Sequence, residues 1–269
     1  MGNADPLLTA LKSFGYNVVR LPRTDVRPLQ ILTKNGNNLE RLGELTTLFN
    51  VGSNIPLPPV TKDTIASGIS GKRSGKLNIG VGLNLMGNII GAMGGSSAGL
   101  ETQYQQAKTA SFEFQNVLED SIEIAKLDQF LTDAKLNPFS TYVRELLETD
   151  NIYITTSTIK SKKFILEAER SDGQSVKVDV PVVQQVVGGS VKVGVELSSS
   201  SKVSFDGPVP LVFGFQAIRI IYNAGQYSAF DPAQKVALKG LDEEEEIIQQ
   251  NPSYLTTDSP FVNLETKEG

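Results

Sequence analysis

Two stretches of the chain alternate between apolar and polar or small side chains with a period of two residues. In the first stretch asparagine and glycine separate the apolar positions, which are Leu77, Ile79, Val81, Leu83 and Leu85. Successive side chains of a β-strand point to opposite faces, so this pattern predicts an amphipathic strand. A glycine-rich stretch follows, and the chain then returns towards Phe112 and Phe114. We therefore predict a first β-hairpin in this region.

The second stretch has a similar design. Its apolar positions are Val176, Val178 and Val180 on one arm and Val191, Val193 and Val195 on the other, with Gly188-Gly189-Ser190 between the arms. Pro181 lacks an N–H donor, so the first arm should lie at a sheet edge or a bulge. Alternation alone is also what any half-buried antiparallel strand shows. Two interpretations therefore stay open, a core-facing hairpin and a membrane-inserting one.

The rest of the pattern predicts an α+β fold, a twisted mixed and largely antiparallel sheet with peripheral helices. Tyr16 to Leu21 and Leu29 to Thr33 are β-rich runs that we predict to form a hairpin. Apolar residues at helical spacing predict three helices, over residues 5–14, 121–134 and 140–147. From Asn151 onward the chain is mostly strand, and residues 211–222 are apolar enough for the core of the sheet.

The composition argues against an enzyme and against nucleic-acid binding. Cysteine, histidine and tryptophan are all absent, so there are no thiolate nucleophiles, imidazole bases, disulfides or thiolate and imidazole metal ligands. We predict no catalytic residues, no cofactor and no metal. The net charge of −5 gives no basic field for a phosphate backbone. We see no signal peptide and no apolar run long enough to span a membrane as a helix, so we expect a cytoplasmic protein.

Two charged clusters could imitate functional sites. Residues 71–76 resemble a phosphate-binding loop, but the first required glycine is replaced by Ser70, and a strand is predicted where a helix should begin. Their basic side chains fit better as the solvated base of the first hairpin or as contacts to lipid headgroups. The carboxylates Glu113, Glu119, Asp120 and Glu123 fit a strand end and a helix start better than paired acid–base groups.

The C-terminal segment is strongly acidic. Residues 238–269 contain two lysines and eight carboxylates, which leaves the segment at −6 and the remaining chain at +1. We therefore divide the chain into a main domain, residues 1–237, and an acidic C-terminal segment, residues 238–269. Without the segment the main domain would be repelled less by an acidic membrane surface. An ordinary solvated tail is the simpler interpretation of the charge alone.

Several stretches resemble members of the gasdermin family. The opening strand pair resembles residues 18–23 and 26–32, and the segment after it resembles residues 45–52. Asn151 to Lys160 is similar to the central strand of the family. The two inserting hairpin regions of the family resemble Ser67 to Leu100 and Gln174 to Ser198. The resemblance covers about residues 5–225 and rests on the order of the elements.

The resemblance to bacterial gasdermins implies a function. It implies an autoinhibited pore-forming protein in which proteolysis removes a C-terminal inhibitory peptide. Many copies then oligomerise into a membrane β-barrel pore that kills the cell in antiphage defence. The inhibitory anchors would be Tyr254, Leu255, Phe261 and Val262, and the cleavage region would be Ala237 to Asn251.

The partners follow from the same resemblance. They are an activating protease, membrane lipids after cleavage, and further copies of the chain in the pore. The autoinhibited form would be a monomer, and we expect no nucleic-acid partner. The protein would be cytoplasmic when inactive and at the inner (plasma) membrane after activation. Several bacterial members have an acylated cysteine near the N-terminus, and this chain has none. The alternative function is a β-rich soluble binding or structural module without membrane activity.

Overall fold

The structure is a computed structural model that describes residues 11, 14–35, 38–50, 56–137, 141–149, 151–196, 199–223, 226–232 and 264–266. The strands are β1 Asn17–Arg23, β2 Gln30–Asn35, β3 Asn38–Glu44, β4 Phe49–Asn50, β5 Val60–Ile65, β6 Leu77–Asn78, β7 Thr109–Gln115, β8 Leu118–Ile122, β9 Lys135–Leu136, β10 Ile152–Glu169, β11 Lys192–Glu196, β12 Ser199–Asn223, β13 Gln226–Pro232 and β14 Leu264–Thr266. The helices are α1 Leu45–Leu48, α2 Ile79–Ala92, α3 Leu100–Gln103, α4 Ile124–Asp133, α5 Thr141–Glu148 and α6 Val180–Val187.

The predicted fold class is confirmed. The sheet is largely antiparallel, with one parallel pair between β3 and β14. Helices α4 and α5 confirm the predictions for residues 121–134 and 140–147. Of the helix predicted over residues 5–14, only Leu11 and Phe14 belong to the described residues. The predicted boundary at residues 237 and 238 lies outside them and stays a prediction.

The hairpin predicted between the first two β-rich runs is wrong. Strand β1 pairs with β12, and β2 pairs antiparallel with β3 and with β10. In the β2–β3 pair Asn35 lies opposite Asn38, which leaves two residues for the turn. The two residues between them in the sequence are Gly36 and Asn37, and Gly-Asn between two β-rich runs is a tight-turn signal that favours pairing of β2 with β3.

The chain forms two compact units that alternate along the sequence. The first unit contains residues 1–26, 62–120 and 158–214, and the second contains residues 27–61, 121–157 and 215–269. Strands β10 and β12 are so long that each contributes residues to both units. The mean strand in globular proteins has about six residues, so these two are unusual.

The first unit has an aromatic core beside the β7–β10 ladder. This ladder is antiparallel and runs from Gln115 opposite Lys163 to Thr109 opposite Glu169. Phe164 stacks on Phe205 with 4.9 Å between ring centroids, and it also lies against Phe112. The even-numbered residues of both strands face this core, as the pleat of a strand requires.

The second unit buries α4 and α5 against its own strands. Phe49 meets Phe130 edge to face, with 5.9 Å between the centroids. The Asn151 side chain joins β2 to the start of β10, because it donates to the Lys34 carbonyl and accepts from the Lys34 N–H. The β2–β3 pair reaches β14, whose Leu264 lies opposite Leu39. The acidic C-terminal segment therefore contributes one short strand to the sheet.

We expect the aromatic core to carry much of the stability of the folded chain. Phe164→Ala should lower the free energy of unfolding by about 3–5 kcal/mol, because it leaves a cavity between two other rings. Urea unfolding of the full-length chain would measure this loss. Ile65→Ala is the control, since Ile65 is 76% exposed, and it should change stability by less than about 0.5 kcal/mol. Equal losses in the two variants would contradict this account of the core.

Candidate functional site

The first predicted hairpin strand is wrong for this state of the protein. Only Leu77–Asn78 is a strand, and α2 begins at Ile79. The Asn78 side chain caps the helix by accepting a hydrogen bond of 2.9 Å from the Gly80 N–H. The fully buried positions of α2 follow the helical period and are Gly82, Met86, Ile89 and Ile90. The segment therefore folds by the helical spacing of these four residues, although the residues before them alternate with a period of two.

Close contact with β7 holds α2 in place. A Cβ atom at Gly82 would lie 2.7 Å from the Cβ of Ala110, so only glycine allows the helix to approach this closely. Glycine inside a helix costs about 1 kcal/mol relative to alanine, and α2 contains four glycines. Packing against the first unit, and not intrinsic propensity, therefore keeps this segment helical.

The five alternating residues of the first stretch are not the ones that α2 buries. Val81 is 54% exposed. The other four, Leu77, Ile79, Leu83 and Leu85, are only partly buried against the core of the first unit. The helix therefore leaves the predicted apolar face incompletely covered.

The second predicted hairpin is also wrong for this state. Val176 is buried and Val178 partly buried, but Val180 begins α6. Asp179 caps this helix by accepting from the Val182 N–H, and Pro181 lies in the first turn, where proline is tolerated. The proline that indicated an edge strand thus starts a helix.

The other predicted arm of this hairpin is a strand with a different partner. Val193 and Val195 lie in β11, opposite Phe205 and Val203 of β12, and Val191 is fully buried just before β11. This arm therefore pairs with β12, which follows it in the chain. Its predicted partner was the arm with Val176, Val178 and Val180, and that part of the chain leads into α6 instead.

Sequence reasoning missed the side chain that fastens α6 to β11. Gln184 Nε2 donates to the carbonyls of Gly188, at 2.7 Å, and of Val191, at 2.9 Å. Its Oε1 accepts a hydrogen bond of 2.8 Å from the Val193 N–H. One amide thus satisfies three backbone groups. No pattern around Gln184 announces this role.

Ion pairs fasten the segment before α2 to the end of β10. Arg73 contacts Glu167 at 3.1 Å and Glu169 at 3.3 Å, and Lys76 also pairs with Glu169. Arg73 Nε additionally donates to the Ser111 hydroxyl. Two of the basic residues that we predicted to be solvated or to contact lipid, Arg73 and Lys76, therefore have protein partners here. Their carboxylate partners lie more than ninety positions away in the chain, so no local pattern could identify them.

The carboxylates considered for acid–base chemistry have separate partners. Glu119 accepts from the Tyr16 hydroxyl, Glu123 pairs with Lys126, and Asp120 pairs with Lys160 at 2.6 Å. Burial lowers the pKa of Lys160, but the hydrogen bonds that its ammonium group donates to Asp120 and Asp63, together with their negative charges, outweigh burial and raise the pKa overall. Within the described residues no group of His, Cys, Asp and Glu could hold a metal ion.

The predicted C-terminal anchors Tyr254, Leu255, Phe261 and Val262, and the predicted cleavage region Ala237 to Asn251, lie outside the described residues. Only the pairing of β14 with β3 is described in this part of the chain. Among the helices that the structure describes, none has the length and hydropathy needed to cross a membrane.

The architecture belongs to a known class. It is similar to the solved structure of a bacterial gasdermin from Bradyrhizobium tropiciagri, with a TM-score of 0.62 over 98% of each chain and 15% sequence identity. This comparison defines the class by fold: the protein has the gasdermin fold.

Sequence comparison then identifies the family. The model of the Bacterial Gasdermin Family matches residues 19–229. Gasdermin bGSDM of a Desulfuromonadales bacterium is 51% identical over 97% of each chain, and Gasdermin bGSDM of Lysobacter enzymogenes is 44% identical over 84% of each chain. This chain therefore belongs to the bacterial gasdermin family. Gasdermins are pore-forming proteins, not enzymes.

Two glycines of α2 allow a matched test of how the helix is held. Gly82→Ala should destabilise the full-length chain by about 1–3 kcal/mol, because the new methyl group collides with Ala110. Gly91→Ala should stabilise it by about 0.5 kcal/mol, because no atom lies within 4 Å of its Cβ position and alanine favours helix. Urea unfolding measures both changes. Shifts of the same sign in both variants would contradict the packing described for α2.

Proposed function

We propose that this protein is an autoinhibited pore-forming protein. Proteolysis removes the C-terminal peptide, and many copies then oligomerise into a membrane β-barrel pore that kills the cell in antiphage defence. The observation that carries this proposal is α2, a helix made from a sequence with the period of an amphipathic strand. Membership of a pore-forming family supports the same conclusion.

The segment that contains α2 suits a membrane strand and its tip. It has no charged side chain between Lys76 and Glu101. Charges are costly to carry across a bilayer, so an uncharged tip lowers the barrier to insertion. A membrane strand needs about 9–11 residues. The alternating run from Leu77 to Leu85 comes close to this length and can extend into its uncharged flanks.

The helix and the proposed strand use different side chains of this segment. The helix buries Gly82, Met86, Ile89 and Ile90, whereas the strand would collect the partly exposed alternating residues on one face. An exposed Val81 has no evident role in the helix. In a strand it would share the lipid-facing side with Leu77, Ile79, Leu83 and Leu85. The segment therefore carries two patterns, one for each state.

Insertion requires assembly into a closed ring. Inside a bilayer every backbone N–H and C=O group needs a partner, so an open sheet edge is not tolerated. The two hairpins of one copy supply inner strands but leave two edges, which only neighbouring copies can cover. The partners of the active form are therefore membrane lipids and further copies of this chain. The autoinhibited form is a monomer.

The acidic C-terminal segment is the proposed inhibitor. It carries a charge of −6, and its β14 lies along β3. The predicted anchors Tyr254, Leu255, Phe261 and Val262 would hold it, and an activating protease would cut between Ala237 and Asn251. A cut directly after Ala237 leaves a body of charge +1, which an anionic membrane repels less. The protein is thus cytoplasmic before cleavage and at the inner membrane afterwards.

Truncation at the predicted cleavage region should activate the protein. A chain that ends at Gly240 should release dye from liposomes of phosphatidylethanolamine and phosphatidylglycerol, whereas the full-length chain should not. The reason is that truncation removes both the acidic charge and β14. Fluorescence of an encapsulated dye measures the release. A truncated chain that stays folded and causes no release at any protein concentration would rule out the proposed function.

Two neighbouring exposed positions separate a pore from a soluble module. Val81 and Asn84 are both exposed on α2, so Val81→Asp and Asn84→Asp should both leave the full-length fold stable within about 0.5 kcal/mol. In a strand, residue 81 faces lipid and residue 84 faces the lumen. In the truncated chain Val81→Asp should therefore reduce dye release more than tenfold, since a charge facing lipid costs about 1–2 kcal/mol in each subunit. Asn84→Asp should reduce release by less than about twofold.

A β-rich soluble module without membrane activity makes a different prediction for this pair. Under that alternative the two aspartates lie on the same exposed helix surface and have equivalent effects. Equal dye release by the two truncated variants would therefore contradict the strand interpretation of α2.

A further inference from the structure

Strand β7 is paired along both edges, close to the points where the two alternating segments, residues 77–85 and 176–195, leave the sheet. On one side Leu77 of β6 lies opposite Ala110, and the Ile79 N–H already extends this ladder by donating to the Lys108 carbonyl at 3.0 Å. On the other side Thr109 lies opposite Glu169 of β10. If both segments become strands, as the proposed function requires, they must grow outward from these two ladders. The existing registers then determine which residues meet.

Continuing the β7–β10 register brings two opposite charges together. Glu101 precedes Thr109 by eight residues, and Lys177 follows Glu169 by eight residues. In an uninterrupted antiparallel pair these two residues lie directly opposite each other. They would be separated by about 5 Å between Cβ atoms, on the same face of the sheet.

One feature of the present state would shift this register. The Lys108 N–H donates to the Glu169 carbonyl at 2.7 Å, although the regular ladder would turn it towards β6. A bulge of this kind places two residues opposite one. If it persisted in the inserted state, Leu100 instead of Glu101 would face Lys177.

The amphipathic pattern distinguishes between the two registers. The apolar face of the present ladder consists of even-numbered residues on both strands, such as Phe112 and Leu166. The uninterrupted register keeps Leu100 on this face with Val176 and Val178, and the charged even-numbered residues Lys108, Arg170 and Asp172 lie next to the present ladder, at the base of the extended strands. The offset register would instead bring Lys177 to the face of Leu100. A shift of one residue moves every side chain of a strand to the other face, so the offset register would place Leu100 on the polar side and Glu101 on the side of Val176.

We propose that Glu101 and Lys177 face each other on the polar side of the inserted sheet, and that this pair sets the register between the two hairpins. In the present state both side chains are exposed, and neither forms an ion pair with another described residue. Opposite charges across a strand pair stabilise it, and like charges destabilise it.

Charge reversal in the chain truncated at Gly240 tests the pair. Glu101→Lys and Lys177→Glu should each slow dye release by about fivefold, because each places like charges opposite one another. The double variant should return to within about twofold of the truncated parent. Thermal unfolding of the full-length variants should be unchanged.

A matched control excludes simple compensation of net charge. Lys62 lies exposed on β5, away from both segments, and Glu101→Lys with Lys62→Glu restores the same net charge. This combination should stay as slow as Glu101→Lys alone. Equal recovery with Lys62→Glu, or additive losses in the Glu101/Lys177 double variant, would overturn the proposed pair.

Cross-linking reports the register directly, since the natural chain contains no cysteine. In liposome-bound truncated protein, Glu101→Cys with Lys177→Cys should form a cross-link within one chain on oxidation, and Leu100→Cys with Lys177→Cys should form much less. The reverse preference would establish the offset register and overturn this one. If the truncated chain releases dye but the effects of Glu101→Lys and Lys177→Glu simply add, only the proposed register is overturned. A parent that releases none overturns the proposed function and the register together.

Discussion

Strand β7 is the element on which the first unit depends, because its backbone is hydrogen-bonded along both edges. It pairs with β6 on one side and with β10 on the other. Its Ala110 and Phe112 face the core, and Ala110 also receives Gly82 of α2. A strand with both edges paired is expensive to disrupt, since each buried backbone group would lose its partner. In the proposed pore the β7–β10 ladder is therefore retained and lengthened.

The segments attached to this ladder depend on tertiary support. Helix α2 contains four glycines, and α6 has a proline in its first turn and depends on Gln184 for its contact with β11. Both helices are stable only against the core of the first unit, where Met86, Ile90, Val183 and Val187 are buried. Removing that support would leave side chains whose alternation suits a strand. This is the physical basis for the change of fold that the proposed function requires.

The sequence predicted the general fold and the positions of the two alternating segments, but not the secondary structure that these segments adopt in this state. The alternation of Leu77 to Leu85 is real, yet the same residues continue into a helical pattern that includes Met86 and Ile89. The partners of Arg73 and the role of Gln184 were not predictable either. Ion pairs and hydrogen bonds between distant parts of a chain follow from topology, which no local pattern contains. The β2–β3 hairpin, by contrast, had a local signal in the dipeptide Gly36-Asn37.

By itself the sequence determined the α+β class, helices α4 and α5, the uncharged stretch between Lys76 and Glu101, and the acidic C-terminus. These features follow from local periodicity and from the placement of charges, which a linear pattern records completely. Only the tertiary structure decided that parts of the two alternating segments form the helices α2 and α6 and that β14 lies along β3. The reason is that a segment with two compatible patterns adopts the one whose apolar side its surroundings can bury. In this state the core beside β7 accepts the helical face of α2.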